Sequence, residues 1–407
     1  MSYMDLKKIY YSDKDNYQQT YNMRYTSDST IHLDFTISGN SAFFQQNTDV
    51  VLLLSEILHL DKKIALLCEQ LPGKALSQYA RKCLIDEIVI TNNIEGVHSS
   101  RKEIGEALSI LEEQSQHKGK KVKFIGIVNK YYKLTENEKV SLGTCQDIRD
   151  LYNELVLPEV VGENKENYPD GQIFRKELAE VFSPSGKSIH KGLYPEAKII
   201  TAMEQALKFL DDDSIPPLFR ICIFHYLIEY IHPFYDGNGR LGRFILSYCI
   251  SKQLEHLLAL RISSTIKENI NQYYKAFAIC NEPKNLADLT PFLITMLQLI
   301  HKTEEELIHS LESGLQRWNK YESLIKPIFN PTKELDYTLY SVLIQAALFS
   351  EQGIPTKGLL SFLHISRTTL KMKLSYLDRN HFLIESKHGN EKFYQMNLAV
   401  LDSLAQE

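Results

Sequence analysis

Between Pro216 and Ile231 nearly every residue is apolar: Leu218, Phe219, Ile221, Cys222, Phe224, Leu227, Ile228 and Ile231. A helix that is apolar all round has to be buried all round, so the segment is read as a central helix with the rest of the chain packed about it. It runs straight into His232-Pro233-Phe234-Tyr235-Asp236-Gly237-Asn238-Gly239-Arg240-Leu241-Gly242-Arg243. Leu241, Phe244, Ile245 and Tyr248 then repeat at helical spacing. A glycine-rich loop carrying a histidine, a carboxylate and two arginines therefore joins two core helices.

The 407 residues suffice for two or three domains, and 43% hydrophobic with 24% charged residues is the balance of an ordinary soluble protein. A net charge of -5 exerts no global pull toward nucleic acid, so any DNA contact would be a local patch. The six cysteines (Cys68, Cys83, Cys145, Cys222, Cys249, Cys280) are scattered, without a CxxC pair or a histidine at zinc spacing, and read as reduced, buried thiols. Met1 to Lys8 lacks the apolar run of a signal peptide. Val50 to Leu54 is cut off by Ser55 and Glu56, far short of a membrane span. The expected location is cytoplasmic.

The start of the chain reads as a β-hairpin: Tyr21, Met23 and Tyr25 alternate with polar residues, Thr26 to Ser29 turn, and Ile31, Leu33, Phe35 and Ile37 alternate again. Helices are predicted over Asp49 to His59, Lys62 to Gln70, Ala75 to Ile94, Ser100 to Glu113, Val122 to Leu134, Thr144 to Leu157, Glu196 to Leu210 and Pro216 to Ile231. Ser183 to Pro195 is a Ser/Gly/Lys-rich loop or small hairpin. After a charged helix around Glu304 to Lys320 and a linker with Pro327 and Pro331, the chain changes character. Helices Tyr337 to Phe349, Thr356 to Leu363 and Ser366 to Arg379, then strands Phe382 to Ser386 and Lys392 to Met396 about Gly389-Asn390, give the order of a winged helix-turn-helix. Arg367, Thr368, Lys371 and Lys373 would lie on its recognition helix.

The loop has the parts for attack on a nucleotide phosphate. His232 can take a proton from a Ser, Thr or Tyr hydroxyl at a near-neutral pKa. Asp236 offers the hard oxygen that Mg²⁺ uses beside substrate phosphates. Gly237-Asn238-Gly239 lets backbone N–H groups approach phosphate oxygens, and the helix starting there points its N-terminus at the same anion. Arg240 and Arg243, three apart, share a helix face and can each fork onto a phosphate. Pro233 and Phe234 fix and pack the loop. Taken singly, a histidine on an apolar helix is usually a core residue and Gly-Asn-Gly usually a turn; here every position of a long pattern is filled.

The string resembles the signature of the Fic family, whose members mostly transfer AMP from ATP to protein hydroxyls; the resemblance is sharp over Ala179 to Asn281. It implies that His232 is the base and Asp236 the Mg²⁺ ligand. Asn238 and the flanking Gly237 and Gly239 would form the α-phosphate cradle, with Arg240 and Arg243 on the β- and γ-phosphates and Gly242 also counted as nucleotide-binding. Ser188, Ile189 and His190 sit where the family carries a flap that aligns the target chain by strand addition. Tyr273, Tyr274 and Asn281 match its adenine pocket; on spacing alone they fit an ordinary helix with packed tyrosines equally well. Thr91-Asn92-Asn93-Ile94-Glu95-Gly96 resembles the family's inhibitory motif, in which Glu95 would occupy the fork of Arg243; alone, Glu95 reads as a helix-end carboxylate and Gly96 as a C-cap.

The expectation is thus a mainly α protein: a helical Fic core with a small β-hairpin flap, plus a C-terminal winged helix-turn-helix domain. Its segments would be 1–115 (hairpin and inhibitory helix), 116–302 (catalytic core), 303–335 (linker helix) and 336–407 (winged helix). The expected partners are ATP with Mg²⁺ and a target protein hydroxyl or the chain itself. Three alternatives stay open at this point: transfer of another phosphate-containing group, removal of AMP at the same site, and a nucleotide-sensing DNA-binding regulator. The winged helix suits DNA or protein docking equally, since Asp378, Glu385 and Glu391 stand beside its basic residues, and a homodimer is compatible with the aromatic content.

Overall fold

The computed structural model describes residues 3–112, 122–182, 188–328, 334–388 and 391–404. They group into two compact units, one of Met1–Asp61 with Leu84–Glu304 and one of Lys62–Cys83 with Glu305–Glu407. This differs from the four segments expected: the hairpin, the Glu95 hexapeptide and the motif share one unit, while 62–83 belongs with the C-terminal residues. Both units are mainly helical, with small antiparallel sheets.

In the first unit the central helix is Pro217–Ile231, and eleven of its residues are buried, including His225 and Tyr226. The motif helix Asn238–Ser251 follows and packs against it. Glu196–Leu210 packs on it from another side, with the span expected from the sequence.

Several local readings are corrected. Tyr21 to Tyr25 is not a strand but the end of the helix Lys14–Tyr25, whose Tyr21 and Tyr25, four apart, both pack on Phe43. The hairpin lies one strand later, Thr30–Ile37 against Asn40–Gln45, turned by Ser38 (φ 48°) and Gly39 (φ 84°). The two helices expected between 49 and 70 are one, Thr48–Gln70, because Leu60-Asp61 contains no breaker. Thr144 to Leu157 splits instead into Cys145–Leu155 and Leu157–Glu163, since Pro158 cannot continue the first ladder and starts the second. The charged helix near 304 is part of a 39-residue helix, Thr290–Ile328. The Ser183 to Pro195 stretch is bracketed by strands Glu180–Phe182 and Ser188–Lys191, paired antiparallel; 183–187, like Pro331 and Gly389-Asn390, lie outside the described residues.

The second unit has helices Glu334–Phe349, Thr356–Leu363 and Arg367–Arg379, then strands Leu383–His388 and Glu391–Met396. Ile354–Pro355 adds a third strand that the sequence reading missed. Leu339, Leu343, Leu359, Leu370, Leu374 and Tyr394 meet in its core. Lys373 is not on an open face; it pairs with Asp336.

One buried charge has a consequence for stability. Glu304 is fully buried, and neither carboxylate oxygen has a hydrogen-bond partner among the described residues. Burial first, then the nearby Asp61, pushes its pKa from 4.5 up to about 9. The folded chain therefore keeps a proton that the unfolded chain loses above 4.5, so this group weakens folding progressively as pH rises toward 9. Glu304→Leu is expected to raise Tm more at pH 8 than at pH 5, measured by calorimetry. Equal gains at both pH values, or a loss at both, would contradict this.

Candidate active site

The central helix ends where His232 turns left-handed (φ 52°, ψ 63°), its N–H still bonded to the Ile228 carbonyl at 3.0 Å. That conformation costs a non-glycine residue about 1–3 kcal/mol unless its surroundings impose it. Arg175 imposes it. Its guanidinium is fully buried and donates through Nε to the His232 carbonyl (2.9 Å) and through Nη2 to the Leu193 carbonyl (2.9 Å). Nothing in the sequence around Arg175 signals this role.

The loop then closes on itself. Asn238 accepts the Phe234 N–H on Oδ1 and donates from Nδ2 to the Phe234 carbonyl, both at 2.9 Å. Phe234 stacks on Tyr152 (3.6 Å, 7°), whose hydroxyl donates to the Asp236 carbonyl at 3.0 Å. The Asn238 side chain, expected in the phosphate cradle, is thus engaged in shaping the loop, and the cradle is left to backbone. Gly237 (φ 79°) makes the turn into the motif helix, a conformation that suits glycine.

The two arginines meet different surroundings. Arg240 is 1% exposed, and among the described residues its Nε and Nη2 have no hydrogen-bond partner, with Asp236 as a carboxylate contact 4.0 Å away. Buried cationic donors without an acceptor are costly, so this is the signature of a site built for an anion. Arg243, 2% exposed, is engaged through Nε and Nη2 on the residues that end the helix Gly73–Ile94. Its Nε donates to Thr91 Oγ1 (2.8 Å), and its Nη2 to the Thr91 carbonyl (3.1 Å) and to Glu95 Oε1 (2.8 Å). Glu95 rests so closely on Gly239 that a Cβ there would fall 2.2 Å from its carboxylate oxygen. A carboxylate therefore lies in the glycine cradle. Glu95 follows that helix, whose Glu87 is pinned by Ser263 (N–H, 3.0 Å) and Ser247 (3.5 Å).

The cleft measures about 130 Å³ and includes Glu95, Glu229, His232, Arg243, Tyr273 and Asn281 in its lining. Tyr274 and His190 join them, so the hexapeptide, the motif, the flap strand and the Tyr-Tyr-Asn residues converge. Ser188 and Ile189 are placed as backbone of the flap strand, and His190 Nε2 lies 2.7 Å from the Tyr230 carbonyl. Glu229, which the sequence reading passed over, has an unpartnered Oε1. Burial first, then Glu95, pushes its pKa up to about 8, so it carries a proton at neutral pH. His232 departs from the near-neutral value expected. Burial first, then His190 and Arg175, pushes it down to about 3, leaving a neutral ring with an unpartnered Nδ1.

Comparison with known proteins agrees with this architecture. The Fic/DOC family profile matches residues 144–250. The chain is 26% identical over 268 residues to "Protein adenylyltransferase Fic" of Drosophila mojavensis, covering 64% of this chain and 49% of that protein. It is 25% identical over 282 residues to the protein of the same name from Drosophila grimshawi, covering 67% and 53%. The chain thus spans about half the length of the curated relatives it matches. Its fold is similar to that of a Fic family protein from Desulfovibrio desulfuricans G20, with a TM-score of 0.50 and 20% identity over 90% of this chain and 98% of that one. The motif, its loop and most of its cleft thus lie in or beside a Fic/DOC domain that spans residues 144–250 of the chain.

Proposed function

We propose that this chain is a protein adenylyltransferase, transferring AMP from ATP to a Ser, Thr or Tyr hydroxyl of a protein, and that Glu95 restrains it. The observation that carries the reading is the pair of arginines at the glycine turn: Arg240 with two buried donors that make no hydrogen bond among the described residues, Arg243 held by a carboxylate that sits in the cradle. The relatives' name, protein adenylyltransferase, supports the same activity.

In this mechanism the neutral His232 accepts the proton of the target hydroxyl. The oxygen attacks the α-phosphorus, the bond from that phosphorus to the bridging oxygen of the β-phosphate breaks, and pyrophosphate leaves. Arg240 and Arg243 hold the charge of the leaving phosphates, and the backbone of Gly237 to Gly239 holds the α-phosphate oxygens. The residues fit a Mg²⁺ ion of the kind shared with substrate. Asp236 presents a half-exposed carboxylate at the mouth of the loop, and no group of three or more His, Cys, Asp or Glu gathers elsewhere among the described residues. Asp236 would hold the ion, whose chemistry is to neutralise phosphate charge.

The restraint is steric and electrostatic together. Glu95 takes an Arg243 donor that a γ-phosphate would need, and puts a negative charge where another would bind. With Glu95 in place the cleft of about 130 Å³ is below the roughly 300–1,000 Å³ of ligand sites.

Glu95→Gly is expected to raise labelling of protein from ATP carrying label on its α-phosphate, by tenfold or more if release of Arg243 is worth about 1.4 kcal/mol. Unchanged labelling would show that the ion pair imposes no restraint. Adding His232→Ala to that variant is expected to lower transfer by roughly 100-fold or more; full activity would rule out His232 as the base. In the Glu95→Gly enzyme the acid limb of kcat/KM should lie below the ordinary histidine value of 6.5, because the free enzyme keeps His232 neutral well beneath it. A limb centred at 6.5 would contradict the neutral-base assignment.

A further inference from the structure

Gly239 and Gly242 of the motif helix are three residues apart and share a face, and a carboxyl group rests on each. Glu95 lies on the first. Glu229, in the last turn of the central helix, lies on the second, where a Cβ would fall 2.4 Å from its Oε1. Arg243 follows the second glycine, and both carboxyl groups line the cleft with it. Glu95 is ion-paired with Arg243, whereas Glu229 Oε1 is closed off from solvent and makes no hydrogen bond among the described residues.

The titratable groups around Glu229 come from every side of the cleft: Glu95 after the helix Gly73–Ile94, Arg243 on the motif helix, Tyr273 and Tyr274 on the helix Ile270–Asn281, His190 on the flap strand and His232 at the end of its own helix. Burial holds the two tyrosines above and the two histidines below their ordinary values, and Arg243 stays charged. Glu229 itself keeps its proton through burial first and the neighbouring negative charge of Glu95 second. A phosphate in place of Glu95 would supply the same negative charge. Either oxygen of a carboxylic acid can carry the proton, and an acid held neutral in this way is a hydrogen-bond donor. A phosphate oxygen beside Arg243 is an acceptor for it.

We propose that Glu229 is a ligand-binding residue of the phosphate site: once Glu95 withdraws, its carboxylic O–H donates to an oxygen of the terminal phosphate held by Arg243. Gly242 leaves the space that the carboxyl group occupies, as Gly239 does for Glu95. The contact selects a triphosphate over a diphosphate, because the acid lies beside the arginine assigned to the γ-phosphate. The inference rests on the reading of this cleft as an ATP site.

The test uses the full chain in the Glu95→Gly background, which frees Arg243, and measures by calorimetry the Kd of ATP and of ADP with Mg²⁺ present at pH 7 and pH 9. Glu229→Ala should weaken ATP at pH 7 by roughly tenfold, the worth of one hydrogen bond to a charged group, and leave ADP within about twofold. Glu229→Gln, whose amide also donates, should restore most of the ATP affinity. Raising the pH strips the proton from the acid and sets an anion against the phosphate, so the parent should lose ATP affinity from pH 7 to pH 9 more steeply than the Gln variant does. Unchanged or tighter ATP binding in Glu229→Ala, or the same pH dependence in parent and Gln variant, would overturn the proposal while leaving the site reading intact. Equal weakening of ATP and ADP marks a merely structural role and counts against it. A parent that binds neither nucleotide would overturn the reading of the cleft itself, and the proposal with it.

Discussion

A buried helix that ends in the interior leaves carbonyl groups that water cannot reach, and in this chain the Arg175 guanidinium answers them. Its planar fork ties the carbonyl of His232, at the end of the central helix, to that of Leu193, just beyond the flap strand. The left-handed turn at His232 is held by that fork, and so is the exit of the chain into the loop. The cationic head has no carboxylate partner in these bonds, so its positive field also reaches the histidine ring and favours the neutral form. One side chain thus sets the geometry of His232 and adds to the burial and the His190 neighbour that hold its ring neutral.

The second arginine problem is solved with carboxylates. Arg243 is buried, and burial alone would disfavour its charge; of its acidic neighbours Glu95, Tyr273 and Glu229, Glu95 contributes most to offsetting that. Glu95 is the only one of these three joined to Arg243 by an ion pair among the described residues, and it comes from a helix end rather than from the motif's own helix. Such a contact can be withdrawn without unfolding the core. Glu229, protonated at neutral pH, stays beside the arginine as a neutral group. Glu87, pinned by Ser263 and Ser247, keeps the Glu95 helix in register. The contact between Glu95 and Arg243 is therefore built into the packing of the first unit.

Much of this was legible from residues alone because the motif is local. His232 to Arg243 is one loop and one helix turn, so spacing defines which groups can meet. The central helix was legible for the same reason: its apolar residues surround the whole axis. The hairpin was displaced by one strand because Tyr21 and Tyr25 satisfy a four-residue helical spacing as well as an alternating one, and only their packing on Phe43 selects the helix. That the Asn238 carboxamide turns onto its own loop was not legible, because nothing in a sequence says whether a carboxamide faces a ligand or its own loop.

The sequence by itself determined the chemistry available: a base, a hard oxygen, a glycine turn, two guanidinium groups and a distant glutamate of matching pattern. It did so because those groups are set by residue type and short-range spacing. Only the tertiary structure decided which were free and in what charge state. Among the described residues Arg240 Nε and Nη2 are left without a hydrogen bond, Arg243 is taken by Glu95, and His232 is neutral, because burial and neighbours far along the chain fix hydrogen bonding and protonation. Arg175 and Glu229 carry no pattern of their own and acquire their meaning from what the fold places against them.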